Sequence, residues 1–210
     1  MEENVIVIPV KEHSQGVSHK NRLLIDRCLN EVLKTKYKVI VVGDDNDLLV
    51  NVKDKYKGLV TTYLLPKIGN YTDITDTLRQ WRDETQYKGY IALVQCTSPR
   101  LKNVWIEQCF EKIDKAPIVA TACELTFKPT ALFRLSAGGV YVPYNAAMPA
   151  ASVARQLLPH TIRITGAVEV FHSKYLDLDS FWKAGYIEPI IIDEEDSLDI
   201  DTEKDMKKFA

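Results

Sequence analysis

Val5-Ile6-Val7-Ile8 is an unbroken apolar run, and the polar, lysine-containing segment 9–21 follows it directly. Near-continuous apolar runs recur at 39–42, 59–65, 90–94 and 118–122. Such runs, in contrast to alternating ones, are typical of strands that are covered on both faces. The run at 5–8 therefore predicts the first strand of a parallel sheet, with a polar loop at its carboxyl end.

Segments with helical periodicity lie between these runs. Three of them are marked by Ile25-Cys28-Leu29-Val32, by Ile74-Leu78-Trp81 and by Ile106-Cys109-Phe110-Ile113. Apolar residues at i, i+3, i+4 and i+7 form one stripe on a helix. Strands that alternate with helices predict an α/β fold, with an open, doubly wound, mostly parallel sheet and right-handed crossovers.

The pattern changes in the second half of the chain. Residues 131–142 predict a hairpin with its turn at 136–139, and a Pro- and Ala-rich excursion runs on to Pro159. Segments 166–171 and 188–192 then predict strands again. We expect residues 1–210 to form a single domain with a small insertion at about 127–162 that covers a ligand or contacts a second subunit.

Composition excludes several classes of protein. The 210 residues carry a net charge of −2, so the composition shows no excess of positive charge that would indicate nucleic-acid binding. No apolar run is long enough to span a membrane, and Met1-Glu2-Glu3 lacks the basic start of a signal peptide. The four scattered cysteines predict reduced thiols in a cytoplasmic protein.

An acidic segment near the end, Ser197-Leu198-Asp199-Ile200-Asp201, suggests a metal site. In an extended segment, residues two apart share a face, so Asp199 and Asp201 would converge while Leu198 and Ile200 point into the protein. Paired carboxylates favour Mg²⁺ or a similar hard cation. The alternative is a solvated acidic stretch that caps a last helix at 203–209.

Polar segments follow the predicted strands at 9–21, 43–46 and 95–100. In open α/β sheets, ligands bind at the carboxyl ends of the strands. The first segment contains a glycine, small hydroxyl residues and two lysines, a composition that can surround a polyphosphate. It lacks the spacing of a Walker P-loop, and an ordinary surface loop is the alternative.

Four motifs in order give the chain its resemblance to a known family. The sequence reads IPVKEHSQGVSHKN from Ile8, VQCTSPRL from Val94, RQLLPHTIRITGA from Arg155 and SLDIDTEKD from Ser197. These segments resemble IPARxxSKGxPxKN, LQPTSPLR, RQxLPxxxxxNGA and SIDIDTExD of the acylneuraminate cytidylyltransferases, or CMP-sialic acid synthetases. The resemblance covers nearly the whole chain and implies a Rossmann-like nucleotidyltransferase with a dimerisation or sugar-lid insertion.

The resemblance also implies roles for individual residues. Lys11 stands at the position of the family arginine, and Ser14, Lys20 and Asn21 match residues that contact the CTP triphosphate and nucleotide. Gln95 matches a sugar-binding glutamine, and Arg155 matches the arginine that pairs with the carboxylate of the sugar acid. Asp199 and Asp201 match the Mg²⁺ ligands. Lys11, Lys20 and the two aspartates are therefore the expected catalytic residues.

The sequence departs from the family pattern at three positions. Gln15 replaces a lysine near the phosphates, which puts catalytic strength in question. Thr165 replaces an asparagine and Glu169 stands where sialate enzymes often have tyrosine, so both sugar-binding positions bear on which sugar is used.

The expected activity is transfer of CMP from CTP to a nonulosonic 2-keto sugar acid with release of pyrophosphate, by a homodimer that uses Mg²⁺. Two alternatives stay open: transfer to 3-deoxy-octulosonate, and a catalytically weak nucleotide-sugar binding protein. For the first activity, Glu169 predicts that a diamino-trideoxy acid is used better than N-acetylneuraminate.

Overall fold

A computed structural model describes residues 3–11, 16–65, 73–127, 129–144 and 154–209, without the side chain of Arg155. Within these ranges the strands are β1 (Val5–Val10), β2 (Lys38–Gly43), β3 (Val60–Leu64), β4 (Tyr90–Val94), β5 (Ile118–Glu124), β6 (Phe133–Leu135), β7 (Tyr141–Pro143), β8 (Ile162–His172) and β9 (Ile187–Ile191). The α-helices are α1 (Lys20–Val32), α2 (Asn46–Lys55), α3 (Ile74–Thr85), α4 (Asn103–Glu111) and α5 (Glu203–Phe209).

Seven strands form the main sheet, in the order β3-β2-β1-β4-β8-β5-β9. The strand pairs β1–β2, β2–β3, β1–β4 and β5–β9 are parallel, whereas β8 is antiparallel to both β4 and β5. The prediction of a mostly parallel, doubly wound sheet is therefore confirmed. The chain moves outward from β1 to β3 and then crosses to β4 on the other side of β1, so the winding reverses between β1 and β4.

Two apolar layers cover the faces of this sheet. On one face, Ile6 and Ile8 pack with buried residues of α1, α2 and α4. On the other face, Val5 and Val7 pack with Leu78 and Trp81 of α3 and with residues of two short 3₁₀ segments, 173–177 and 181–184. Successive residues of β1 pack into opposite apolar layers, which explains why the run from Val5 to Ile8 is apolar at every position.

Helix α2 is the main element that the periodicity analysis missed. Its buried residues, Leu48, Leu49 and Val52, form a short stripe interrupted by Val50, which is exposed. The better signal is its N-cap, Asp45, whose carboxylate accepts a hydrogen bond from the backbone N–H of Leu48 at 3.0 Å. An aspartate in this position satisfies one of the unpaired N–H groups of the first helical turn.

The predicted hairpin is confirmed, since β6 and β7 pair as an antiparallel ribbon. Its apolar side chains face outward: Tyr141 is 72% exposed and Leu135 is 59% exposed. All four cysteines are buried and free. None of the helices in the described part of the chain is long and apolar enough to cross a membrane.

Candidate functional site

The carboxyl ends of β1, β2 and β4 meet at one edge of the sheet, where the winding reverses. The loop from β1 leads into α1 there, and residues 95–100 follow β4. The acidic segment 197–201 crosses the same edge, because the backbone N–H of Ile200 donates to the Thr97 carbonyl at 2.9 Å. Segments that are far apart in the sequence thus form one polar cluster.

Lys20 joins the first turn of α1 to the acidic segment. Its ammonium group lies 2.8 Å from Asp201 Oδ1 and 2.9 Å from the Ile200 carbonyl oxygen. The lysine side chain is 11% exposed, whereas that of Asp201 is 70% exposed. Ile200 is fully buried and packs with Val17, as the spacing of the acidic segment predicted.

Gly16 is required by the same contact. Its φ is +89°, and a Cβ at this position would lie 1.9 Å from the Asp201 carbonyl oxygen. A side chain here would therefore adopt an unfavourable backbone conformation and also push the acidic segment away. The glycine lets the loop after β1 lie directly against Asp201.

Asp199 differs from Asp201 in its surroundings. Its Oδ1 is sealed from solvent and has no hydrogen-bond partner among the described residues. Burial raises the pKa of this carboxyl group, the charge of Asp201 adds to the effect, and the Thr97 side chain and the Lys20 ammonium oppose it. Asp199 therefore offers an unpaired carboxylate oxygen, and the accessible carboxylate of Asp201 is close to it. Mg²⁺ usually binds one or two carboxylates together with water and substrate phosphates, so the two aspartates fit a Mg²⁺ site.

Asn21 connects the two loops that frame the cluster. Its side-chain amide donates to the Lys11 carbonyl at 3.1 Å, and its Oδ1 lies 3.4 Å from the thiol of Cys96. Asn21 thereby fixes the end of β1 relative to the loop after β4. We refer to Gly16, Lys20, Asn21, Asp199 and Asp201 as the loop–carboxylate cluster.

A partly buried ion pair that the sequence analysis missed supports this cluster from one side. The Arg22 guanidinium donates to both carboxylate oxygens of Asp45, at 2.8 and 2.6 Å. The pKa of Asp45 is lowered: its burial acts to raise it, but the hydrogen bonds from Arg22 and the Leu48 N–H outweigh that effect. The capping position of Asp45 was a usable signal, whereas nothing in the sequence pointed to Arg22.

Next to β4, strand β8 carries a bulge. Ala120 pairs with Glu169 and Ala122 pairs with Ile164, so Thr121 alone faces residues 165–168. The hydroxyl of Thr121 lies 2.7 Å from that of Thr165 and accepts a hydrogen bond from the Val168 N–H at 3.1 Å. We call residues 165–168 together with Thr121 the β8 bulge; bulges of this kind re-aim side chains next to sites.

The β8 bulge positions Gln95. The backbone N–H of Gln95 donates to the Ala167 carbonyl at 3.3 Å. Gly166 has a φ of +77°, and a Cβ there would lie 3.4 Å from Gln95 Nε2. Gln95 therefore packs closely over the glycine of the bulge.

Glu169 follows the bulge directly and is buried between β4 and β5, opposite Leu93 and Ala120. It is 5% exposed. Its burial raises the pKa of the carboxyl group to about 8. No hydrogen bond or ion pair stabilises the charged form within the described part of the chain.

A groove of about 620 Å³ opens beside Asp199. Two arginines line it: Arg163 donates to the Ser197 hydroxyl at 2.8 Å, and Arg100 donates to the Glu195 carbonyl at 2.9 Å. The groove gives a ligand access to the loop–carboxylate cluster from the side of the acidic segment.

The structure thus brings Lys20, Asn21, Asp199 and Asp201 together. It places Gln95 beside Gly166 and Ala167 of β8, the strand that also carries Thr165 and Glu169. Lys11 reaches the cluster through its carbonyl group. Two expected site residues lie outside what the structure describes: Ser14, and the side chain of Arg155. Gln15, the departure near the expected phosphates, lies there as well.

The fold is Rossmann-like, and several solved structures share it. One solved structure with this fold is a CMP-2-keto-3-deoxy-manno-octonic acid synthetase complexed with CTP, with a TM-score of 0.68 and 15% sequence identity over 99% of this chain and 97% of the other. The 4-diphosphocytidyl-2C-methyl-D-erythritol synthase of Anaerococcus prevotii has a TM-score of 0.65 and 12% identity, over 99% and 96%.

A further 4-diphosphocytidyl-2C-methyl-D-erythritol synthase has a TM-score of 0.65 and 12% identity, covering 100% of this chain and 97% of its own. At these identities the likeness is one of fold. No protein-family model matches the sequence.

Proposed function

We propose that this protein transfers CMP from CTP to a nonulosonic 2-keto sugar acid and releases pyrophosphate. The observation that carries this proposal is the loop–carboxylate cluster, in which Gly16 of the β1–α1 loop and Lys20 of the first turn of α1 contact Asp201 at the carboxyl edge of the sheet. The cluster combines a cation for phosphate with two carboxylates for a metal ion, and it occupies the edge at which such sheets bind ligands.

In this proposal the β1–α1 loop holds the triphosphate. Lys11 and Lys20 supply positive charge, and Ser14 and Asn21 contact the nucleotide. Helix α1 begins after His19, which has a φ of +55° and makes no capping hydrogen bond with its side chain. The first N–H groups of α1 are therefore not capped by His19, and a helix N-terminus favours a negatively charged group.

The reaction is an in-line displacement at the α-phosphate. The anomeric hydroxyl of the acceptor gives up its proton to water and attacks the α-phosphorus, and the bond to the bridging oxygen of the departing pyrophosphate breaks. Positioning and charge neutralisation supply most of the catalysis in reactions of this class. Asp199 and Asp201 would hold Mg²⁺, which when bound neutralises charge on phosphate oxygens.

The acceptor would lie along β4 and β8. Gln95 would hydrogen-bond to the sugar, Arg155 would form a bidentate pair with its C1 carboxylate, and Thr165 and Glu169 would border the same space. The contact between Gln95 and the β8 bulge supports this arrangement, because it joins the end of β4 to the strand that carries Thr165 and Glu169.

Transfer to the eight-carbon acid 3-deoxy-octulosonate is the second candidate. It is favoured by the structural neighbour that is a CMP-2-keto-3-deoxy-manno-octonic acid synthetase. A catalytically weak nucleotide-sugar binder is the third, since Gln15 and Thr165 replace residues of the family pattern.

The test is pyrophosphate release by the purified protein with Mg²⁺ and CTP, UTP or ATP, each with a nonulosonate, with 3-deoxy-octulosonate and without acceptor. We expect release that requires CTP and the nonulosonate, and a product with the mass of a CMP-sugar. Binding of CTP in a calorimeter without any turnover would favour the binding protein, and a preference for the eight-carbon acid would favour the second candidate.

We further propose that the protein is a homodimer joined through the hairpin region. Leu135, Val140, Tyr141 and Tyr144 are each more than half exposed, and together with Phe133 they give the ribbon an apolar surface. Exposed apolar patches of this kind are typical of interfaces, and a second copy of the chain would bury both patches symmetrically.

Light scattering after gel filtration tests the dimer. The wild type is expected at twice the monomer mass, and Tyr141→Glu is expected to shift it toward the monomer. Tyr186→Glu is the matched control, because Tyr186 is 69% exposed but lies outside the hairpin. A monomeric wild type at assay concentration would contradict this proposal.

A further inference from the structure

The acidic segment that carries Asp199 and Asp201 is followed directly by the C-terminal helix α5. Two carboxylates in one short segment repel each other, and they separate unless a bound cation or contacts elsewhere hold the segment in place. Lys20 supplies one such contact, to Asp201. Further contacts come from α5 and from the loop after β4.

A small apolar cluster attaches α5 to the acidic segment. Ile200 is fully buried and forms this cluster with Val17 and Leu24. Met206 and Phe209 of α5 pack against it. Among the described residues of α5 none is buried, and a helix of seven residues is not stable in water by itself. The position of α5 therefore depends on the partial contacts that its two apolar side chains make.

Arg27 of α1 contacts both α5 and the loop after β4. Its Nε donates a hydrogen bond to the Pro99 carbonyl in that loop. The same loop holds the acidic segment, because the Thr97 carbonyl accepts a hydrogen bond from the Ile200 N–H at 2.9 Å. The guanidinium carbon of Arg27 also lies 4.9 Å from the centre of the Phe209 ring, a distance at which a cation and an aromatic ring attract each other. One side chain therefore joins α1, the loop after β4 and α5.

These contacts use properties that are specific to arginine. A planar guanidinium can donate to a carbonyl and lie against an aromatic ring at the same time, whereas an ammonium group is a compact point charge. Glu31, one turn further along α1, is a nearby counter-charge: the hydrogen bond from Lys34 and the charge of Arg27 both help to lower the pKa of its carboxyl group. Arg27 is exposed, so these contacts, and not core packing, fix its position.

We propose that Arg27 is a positioning residue for the two aspartates: it holds α5 and the loop after β4 together, so that the acidic segment between them presents Asp199 and Asp201 to one metal ion. This inference rests on the metal assignment of the proposed function. Contacts that favour the paired arrangement of the carboxylates strengthen metal binding, and by thermodynamic reciprocity a bound metal ion strengthens those contacts.

The experiment measures binding of Mn²⁺ alone, as a paramagnetic substitute for Mg²⁺, by electron paramagnetic resonance of the free ion. We expect Arg27→Met and Phe209→Leu each to weaken Mn²⁺ binding about 2–10-fold, the range for the loss of one cation–π contact or one hydrogen bond. Arg27→Lys keeps a cation near the ring and should recover part of the loss.

Arg79→Met is the matched control. Arg79 lies on α3, on the opposite face of the sheet, and donates to the carbonyls of Leu176 and Leu178 at 2.6 and 2.7 Å. This variant also removes hydrogen bonds from an arginine to backbone carbonyls, so it should lose stability in urea. Its affinity for Mn²⁺ should equal that of the wild type, because these contacts are remote from the acidic segment.

Hydrogen exchange of the α5 amides, with and without Mg²⁺, gives a second readout that does not depend on turnover. The amides should exchange more slowly with Mg²⁺ in the wild type, and the slowing should be smaller in Arg27→Met. Mn²⁺ binding that is lost in Asp199→Asn but unchanged in Arg27→Met overturns the inference and leaves the metal assignment intact. Equal losses of affinity in Arg27→Met and Arg79→Met also overturn it, because they report a general loss of stability. A wild type that binds no Mn²⁺ overturns both the inference and the metal assignment.

Discussion

The loop–carboxylate cluster and the neighbourhood of Glu169 each contain a carboxylate oxygen without a partner among the described residues. The two regions differ in the charged groups that surround this oxygen. Asp199 lies close to a second aspartate and to the ammonium of Lys20, which is itself bonded to Asp201 and to the backbone. Glu169 lies among apolar neighbours. The first region combines charges of both signs, whereas the second places one carboxyl group among apolar side chains. Under the proposed function, the first would bind the charged nucleotide and its metal ion, and β8 would contact the acceptor.

The largest effect is expected at the two aspartates. Asp199→Asn and Asp201→Asn each remove one charge with little change in shape, so turnover should fall by about 10²–10³-fold, the usual loss for a group that stabilises transition-state charge. Steady-state kinetics at limiting Mg²⁺ measure this. Asp193→Asn, an exposed aspartate shortly before the acidic segment, is the control. Unchanged rates at limiting Mg²⁺ in both variants would remove the metal assignment.

Glu169 should make stability depend on pH. Its pKa is about 8 in the folded protein against an ordinary value of 4.5, so the folded state holds the proton more tightly than the unfolded state. The resulting stability is complete below pH 4.5 and is lost as the pH rises toward 8, by about 1.4 kcal/mol per pH unit at most. Glu169→Gln has no titrating group at this position. Its free energy of unfolding, measured in urea, should therefore rise relative to that of the wild type as the pH rises through this range. Parallel curves would contradict the burial of an unpaired carboxyl group.

Gly16→Ala tests the contact between the loop and the acidic segment. It is expected to raise KM for CTP and to destabilise the fold by about 1–3 kcal/mol beyond the cost of its positive φ, because the new Cβ overpacks the Asp201 carbonyl. Gly58→Ala is the control: Gly58 has a φ of +76°, but a Cβ added there would have no atom within 4 Å among the described residues. Equal unfolding free energies for the two variants would show that the loop moves away easily.

The smallest effect concerns the β8 bulge. Thr121→Val leaves the Val168 N–H without its partner, which costs about 1–3 kcal/mol, and releases Gln95, so KM for the acceptor should rise several-fold while KM for CTP is unchanged. Thr121→Ser should restore both properties. Thr77→Val is the control, because the Thr77 hydroxyl is sealed and has no partner in the described ranges, and its loss should be neutral or stabilising. A KM change in both substrates would point to a general structural defect instead.

The sequence predicted the regular part of the molecule better than the irregular part. Apolar runs located the strands of the main sheet, since strands that are covered on both faces are apolar at nearly every position. The spacing of Asp199 and Asp201 also predicted the burial of Ile200, because a period of two is a local property of the chain.

The partners of individual side chains were beyond prediction because they depend on register and order in the sheet. Strand β8 lies between β4 and β5, and that position alone puts Glu169 among apolar neighbours and Thr121 opposite Thr165. The pair of Arg22 and Asp45 joins two helices whose relative placement no local pattern specifies. The residue roles inherited from the family resemblance remain predictions.

The bond between Lys20 and Asp201 spans 181 positions of the chain. Contacts of such long range form late in folding, since closing a long loop has to precede any gain from the contact. During synthesis, α1 and the loop before it leave the ribosome long before residues 197–201 do. The loop–carboxylate cluster therefore stays incomplete until the acidic segment docks. Under the proposed function, the protein would bind CTP only after the whole sheet has assembled.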